Sequence, residues 1–230
     1  MEAQKENIFH EIIEFAISVV WLGIAFGIAI AGGINAFKDS VGLRTTILES
    51  LVVVFFAFVF HELAHRIAAR RYGFQAVYRV WIPGLILAMG SALLGFLFAA
   101  PGGVHIMITQ DTAENRAKLG KSALAGPIVN IVLTIVFIFF TIIFLGFVQS
   151  YMAATGKSMS QLASWVISIG DIGIIGMQIN AWLAFFNLIP WGNFDGNKVF
   201  QWNKKVWIIV FIGSIVLWVL TYFVQISLLR

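Results

Sequence analysis

The chain carries five apolar blocks, each long enough to cross a membrane as a helix. Such a crossing takes about 20 apolar residues, and the blocks lie at residues 9–32, 47–69, 122–148, 162–189 and 206–229. Hydrophobic residues make up 60% of the sequence and charged residues 11%, whereas soluble domains have about 45–50% and about 25%. The sequence therefore predicts an all-α polytopic membrane protein with five to six transmembrane helices.

A sixth apolar block, residues 80–108, is interrupted by prolines and glycines at Pro83, Gly84, Gly90, Gly95, Pro101, Gly102 and Gly103. If this block enters and leaves on the same side, the N-terminal side holds 11 of the 15 Lys and Arg residues. If it crosses once, the two sides hold 7 and 8. Because Lys and Arg accumulate in cytoplasmic loops, we expect the block to return and the N-terminus to be cytoplasmic.

Two forms of the returning block remain open. It is either a re-entrant hairpin, or a helix to about Ala99 followed by an extended return through residues 101–108. Both place Gly102, Gly103 and His105 in a non-helical stretch inside the protein, where other groups must satisfy its backbone. Residues 103–108 could pair with an unwound substrate as an added strand. His105 either hydrogen-bonds the substrate or stabilises the tetrahedral intermediate, or it has only a structural role.

The second span contains the stretch His61-Glu-Leu-Ala-His65. Cysteine is absent, so a transition-metal site must use His and carboxylate ligands. His61 and His65 are four residues apart and share one helix face, while Glu62 lies beside them as a possible base. A random sequence of this length and composition would contain about 0.002 H-E-x-x-H matches. Ionisable groups inside a membrane are costly and indicate function, so we predict a zinc site.

A third protein ligand is needed if one zinc position stays open for water. Asp195 follows Pro190 in a glycine-containing turn after the fourth span, and the loop charges place this turn at the His61 end of the second span. Glu49 lies about 18 Å along the helix from His61, and Asp171 lies near the far end of its span. Asp195 is therefore the predicted third ligand.

These stretches resemble the site-2 protease family of intramembrane zinc metalloproteases. That family combines an H-E-x-x-H helix with the Asp of an N-x-x-P-x-x-x-x-D-G motif, as in Asn187-Leu-Ile-Pro190 followed by Asp195-Gly196. Residues 125–130, Ala-Gly-Pro-Ile-Val-Asn, resemble the start of its third core helix. The resemblance covers about residues 48–205 of a single predicted domain, 1–230, and leaves 1–47 and 206–230 as flanking spans.

The resemblance implies that His61, His65 and Asp195 hold one catalytic zinc ion and that Glu62 is the general base. Asn187 would lie near the scissile bond. The implied enzyme is a zinc metalloendopeptidase of the cell membrane. It would hydrolyse peptide bonds within or near transmembrane segments of protein substrates in the bilayer, at a site towards the cytoplasm.

Two other kinds of protein could use such a metal site. A zinc transporter or sensor would bind the metal without hydrolysis, but it has no need of a non-ligand base such as Glu62. A metalloprotease with a Glu third ligand would need a Glu after Glu114, and the sequence has none. The scattered basic residues do not indicate nucleic-acid binding. The side chains of Asn130 and Asn180 are predicted to form hydrogen bonds between helices. Substrate identity and oligomeric state remain open.

Overall fold

The computed structural model describes residues 2–98, 100–108 and 110–228, with side chains described from residue 8 onward. In chain order its main elements are α1 (Glu2–Ile30), α2 (Ser40–Arg71), β1 (Gln75–Val80), α3 (Ile82–Leu93), β2 (Gly102–Met107), α4 (Ala113–Thr155), α5 (Ser164–Asn187), α6 (Asp195–Trp202) and α7 (Lys204–Leu228). Short 3₁₀ turns at Gly33–Lys38 and Met159–Gln161 lie in the α1–α2 and α4–α5 connections.

Five helices, α1, α2, α4, α5 and α7, are long and apolar enough to cross a membrane. They correspond to the five predicted spans, so the predicted polytopic all-α class is confirmed. α2 and α4 extend beyond their apolar blocks by several polar turns. The predicted last residue of the fifth span, Leu229, lies outside the described residues, as does Arg230, one of the counted loop charges.

The block at 80–108 returns to the side it came from. α3 has 12 residues and is about 18 Å long, too short to cross. β1 and β2 pair antiparallel from Gln75↔Met107 to Val80↔Gly102, so the chain enters and leaves at one level. Of the two forms considered, helix plus extended return is correct. The predicted helix end at about Ala99 is wrong: α3 ends at Leu93, and residues 94–98 form a turn and irregular chain with Gly95 at φ +83°.

The strand β1 was not predicted, because a strand forms only with a partner and β2 is distant in sequence. The buried ring of Tyr78 on β1 anchors the sheet. It contacts Phe15 of α1 and Phe58 of α2 edge-on, with ring centroids 5.1 and 5.9 Å apart. The sheet is therefore packed against the first two spans.

The helices α4, α5 and α6 surround the end of α2 that carries His61 and His65. α4 runs beside both α2 and α5, and α6 lies across its first turns. There Gly120 of α4 meets Trp202 of α6 so closely that a Cβ on the glycine would overlap the indole side chain. α7 packs on α5 and exposes about half of its apolar side chains, as a helix facing lipid does.

Candidate metal centre

Three buried side chains converge between α2 and α6. The Nε2 atoms of His61 and His65 are 2.9 Å apart. The Oδ2 atom of Asp195 lies 2.9 Å from Nε2 of His65 and 3.4 Å from Nε2 of His61. The structure therefore brings the three predicted ligands together, although Asp195 is 130 residues beyond His65 in the chain.

The triangle of donor atoms fits a zinc ion. Tetrahedral ligands at 2.0–2.1 Å from zinc are about 3.3 Å from one another, and the three separations here are 2.9–3.4 Å. The set of two imidazoles and one carboxylate is also one that zinc accepts, with one position left open. His61, His65 and Asp195 would hold the ion.

Asp195 is presented by the turn between α5 and α6. It is the first residue of α6, and Gly196 lies so close to the carbonyl of Leu188 that a Cβ there would overlap it. Its second carboxylate oxygen, Oδ1, accepts a hydrogen bond of 3.1 Å from Lys198 Nζ. Burial alone would raise the pKa of Asp195, but the contacts with the imidazole of His65 and with the ammonium group of Lys198 hold this pKa well below its ordinary value. The group is therefore an ionised ligand.

The two histidines are fixed in the tautomer that a metal requires. His65 Nδ1 lies 2.8 Å from the carbonyl oxygen of Ser122, which can only accept, so Nδ1 carries the hydrogen. His61 Nδ1 likewise contacts Oδ1 of Asn130. Both Nε2 lone pairs are then free to face the ion, the usual arrangement behind a histidine ligand.

The amide of Asn130 has one possible orientation. Its Nδ2 atom donates to the carbonyl of Ala57 at 3.2 Å and to Oδ1 of Asn180 at 2.9 Å, and Asn180 donates in turn to Gly176 at 2.9 Å. Oδ1 of Asn130 must therefore accept from His61. Asn130 and Asn180 do connect helices as interpreted, but the role of Asn130 behind a ligand was missed. An asparagine at mid-membrane depth in the same sequence as H-E-x-x-H is the signal that could have indicated it.

Gly126, at the start of the α4 span, lies against the two histidine ligands. A Cβ at this position would overlap the imidazoles of both His61 and His65. Only glycine lets the backbone of α4 pass this close to the two ligands. The carbonyl of Ser122, one turn earlier, is thereby brought within reach of His65.

Glu62 lies on the neighbouring face of α2, between the ligands and the sheet. It is buried, and its Oε2 atom accepts a 2.9 Å hydrogen bond from the backbone N–H of Val104 on β2. The carboxylate is thus held beside the metal-binding group without being part of it. This is the placement expected of a base rather than of a ligand.

Comparison with known proteins agrees with this geometry. The sequence model of Peptidase family M50 matches residues 49–220, which contain all three ligands and Glu62. The chain belongs to family M50, the site-2 protease family. A protein of Methanocaldococcus jannaschii, provisionally named a zinc metalloprotease, is 41% identical over 162 residues, covering 70% of this chain and 73% of the relative. No solved structure matches the chain.

Family membership and the donor set make this chain a zinc metallopeptidase with membrane-spanning helices. Beside Glu62, a cavity of about 390 Å³ lies between α1 and α2. Apolar side chains such as Phe15 and Leu63 line it, together with Glu62, Val104, Arg66 and Arg70. Glu62 of this M50 peptidase therefore lines a cavity that also contains the ion pair of Glu11 with Arg66.

Two other predicted site residues lie apart from the metal-binding group. Asn187, the last residue of α5, donates from Nδ2 to the carbonyl of Leu183 in its own helix at 2.9 Å. His105 is exposed and, by strand alternation, points to the face of β2 opposite Val104. Their predicted roles towards a substrate of this peptidase stay predictions.

The two glycines that open β2 differ. Gly102 has φ +143°, and a Cβ there would overlap the carbonyl of Arg79 on β1. Gly103 has open space where a Cβ would be. Gly102 is thus required by the sheet itself, whereas Gly103 leaves room beside the strand.

Proposed function

We propose that this M50 peptidase is an intramembrane endopeptidase that hydrolyses peptide bonds within or near transmembrane segments of other membrane proteins. The observation that supports this most is the position of Glu62. It connects the metal-binding group at His61 to the backbone of β2 at Val104, inside a bundle of membrane-spanning helices. Metal, base and a peptide-binding edge then lie side by side.

When bound, zinc would polarise the scissile carbonyl and make a water molecule more acidic. Glu62 takes the proton from the attacking water on a carboxylate oxygen and later passes it to the leaving amine nitrogen. To accept this proton, Glu62 must either release the N–H of Val104 or use the carboxylate oxygen that does not bind Val104. His61, His65 and Asp195 keep their geometry throughout, because Asn130, Ser122 and Lys198 hold them from behind.

The substrate would be held as a strand. A transmembrane helix must lose its internal hydrogen bonds before its peptide bonds can be cut, and a strand edge replaces them. The N–H groups of Tyr78 and Val104 both point away from the partner strand, since each donates to a glutamate instead. Pairing with the outer edge of β2 would place a substrate carbonyl opposite Val104 and next to Glu62.

The site is proposed to open towards the cytoplasm of the cell membrane. The loop-charge distribution supports this orientation, and Arg66 and Arg70, which line the cavity, follow His65 at the same end of α2. Because the chain has no cysteine, a single Arg70→Cys variant in intact cells tests it. Labelling by a membrane-impermeant maleimide only after lysis is expected, and labelling from outside would refute it.

Replacement of Glu62 by Gln tests the reaction. In purified protein supplied with a membrane-protein substrate, Glu62→Gln should retain one zinc per chain and lose about 10²–10⁴-fold in cleavage rate, because the proton acceptor is removed. Glu49→Gln, also a buried carboxylate of α2 but far from His61, is the matched control and should cleave normally. Normal cleavage by Glu62→Gln would refute the mechanism. Zinc binding without cleavage by the unaltered protein would favour a transporter or sensor.

A further inference from the structure

The helix α1 lies before the region that matches the family, which begins at residue 49. Two carboxylates, Glu11 and Glu14, lie three residues apart on one face of it, near its N-terminal end. Carboxylates in an apolar spanning helix are costly unless they are paired. Both are partly buried here, and both face the sheet.

Each of these glutamates binds a backbone N–H of β1. Glu11 Oε1 accepts from Tyr78 N at 2.8 Å, and Glu14 Oε2 accepts from Val80 N at 3.1 Å. Glu11 is also paired with Arg66, the residue that follows His65. The side chain of Tyr78 adds a hydrogen bond of 2.7 Å to Ser18, one turn further along α1.

The two carboxylates occupy the place of a third strand. A two-stranded sheet is marginally stable alone, and an unpaired N–H group within a membrane is unfavourable because no water can bind it. The N–H groups of Tyr78 and Val80 point outward at alternate positions, where a neighbouring strand would receive them. Glu11 and Glu14 close this edge of β1, so a substrate strand would have to pair with the outer edge of β2, where Glu62 must first release the N–H of Val104.

The position of β1 is transmitted directly to Glu62. Tyr78 pairs with Val104 and Val80 with Gly102 in the sheet register, and Val104 donates to Glu62. The chain of contacts runs from Glu11 through Tyr78 and Val104 to Glu62. A shift of β1 relative to α1 would therefore move Val104 relative to Glu62.

We propose that Glu11 and Glu14 are positioning residues that clamp the outer edge of β1 to α1 and thereby set the position of Val104 against Glu62. They act through the sheet and do not touch the metal-binding group. The effect on catalysis rests on the proposed function, whereas the clamp itself does not.

The first experiment measures the clamp without any cleavage. Ala76 is buried on β1, and an Ala76→Cys variant reports opening of the strand by its rate of maleimide labelling in the zinc-loaded protein. Adding Glu11→Ala and Glu14→Ala should raise this rate about tenfold or more, because two charge-assisted hydrogen bonds are lost. Labelling of Ala184→Cys, buried on α5, should not change.

The second experiment measures cleavage. The double Ala variant should lose about tenfold or more in kcat/KM while keeping its zinc and its affinity for zinc. The double Gln variant keeps both oxygen acceptors for Tyr78 and Val80, so it should recover most of the loss. Glu114→Ala, which removes an exposed carboxylate paired with Lys118, is the control for charge alone.

The outcomes separate the two proposals. Unchanged labelling of Ala76→Cys in the double Ala variant would overturn the clamp. Faster labelling with unchanged kcat/KM would overturn the positioning role. Loss of zinc, or failure of Gln to restore cleavage, would show a general structural role instead and also overturn it. If the unaltered protein cleaves no membrane-protein substrate, the proposed function fails, while the labelling result still decides the clamp.

Discussion

The metal-binding group and the two-stranded sheet meet at Glu62 but are held by different kinds of contact. Three groups hold the metal-binding group from behind: the buried side chain of Asn130, the partly buried side chain of Lys198 and the backbone carbonyl of Ser122. The sheet is held through its backbone, by carboxylates that receive N–H groups of Tyr78 and Val104. Changes in the first region should therefore affect zinc binding, and changes in the second should affect cleavage with zinc retained.

The largest effect is expected from Asp195→Ala. Two imidazoles alone leave zinc without its third protein ligand. Zinc affinity should fall by more than the 10–100-fold typical of residues behind the ligands, and cleavage should become undetectable. Zinc content by atomic absorption and cleavage of a membrane-protein substrate measure the two. Full zinc content and activity in this variant would remove Asp195 from the site.

Asn130→Ala should have the next largest effect in the metal region. It leaves the buried Nδ1–H of His61 without its acceptor, which should weaken zinc binding about 10–100-fold and lower the free energy of unfolding by about 1–3 kcal/mol. Asn180→Ala is the matched control. It removes one of two acceptors of Asn130 and should weaken zinc binding less than about tenfold. Competition with a chelator measures both, and equal effects would contradict the orienting role of Asn130.

A comparison of Gly102→Ala with Gly103→Ala tests the sheet and should give the smallest effect. In Gly102→Ala, the alanine would have to adopt φ +143°, and its Cβ would overlap the carbonyl of Arg79. This should lower the free energy of unfolding by about 1–3 kcal/mol. The second has open space and should be nearly neutral. Thermal unfolding of the zinc-loaded proteins measures the difference. Reduced zinc affinity in Gly102→Ala would contradict the separation of the two regions.

The sequence predicted the metal-binding group better than the two-stranded sheet. His61 and His65 are one helical turn apart, so their meeting is local. Asp195 could be assigned as the third ligand because the loop charges indicate on which side of the membrane each span ends. The strand β1 was not predicted, although Val77, Tyr78 and Val80 are residues that favour strands. Its pairing depends on Gly102 to Met107, and no local pattern reports such a distant partner.

The sequence by itself predicted the membrane class, five to six spans and the three residues that would hold the metal. These follow from hydropathy, loop charge and helical spacing, which act along the chain. Only the tertiary structure decided that Asn130 orients His61, that Lys198 holds Asp195, and that Glu11 and Glu14 close the edge of β1. Asn130 and the two glutamates join residues far apart in the chain by hydrogen bonds, whereas Lys198 lies one turn of α6 beyond Asp195. Their geometry exists only after the helices have packed.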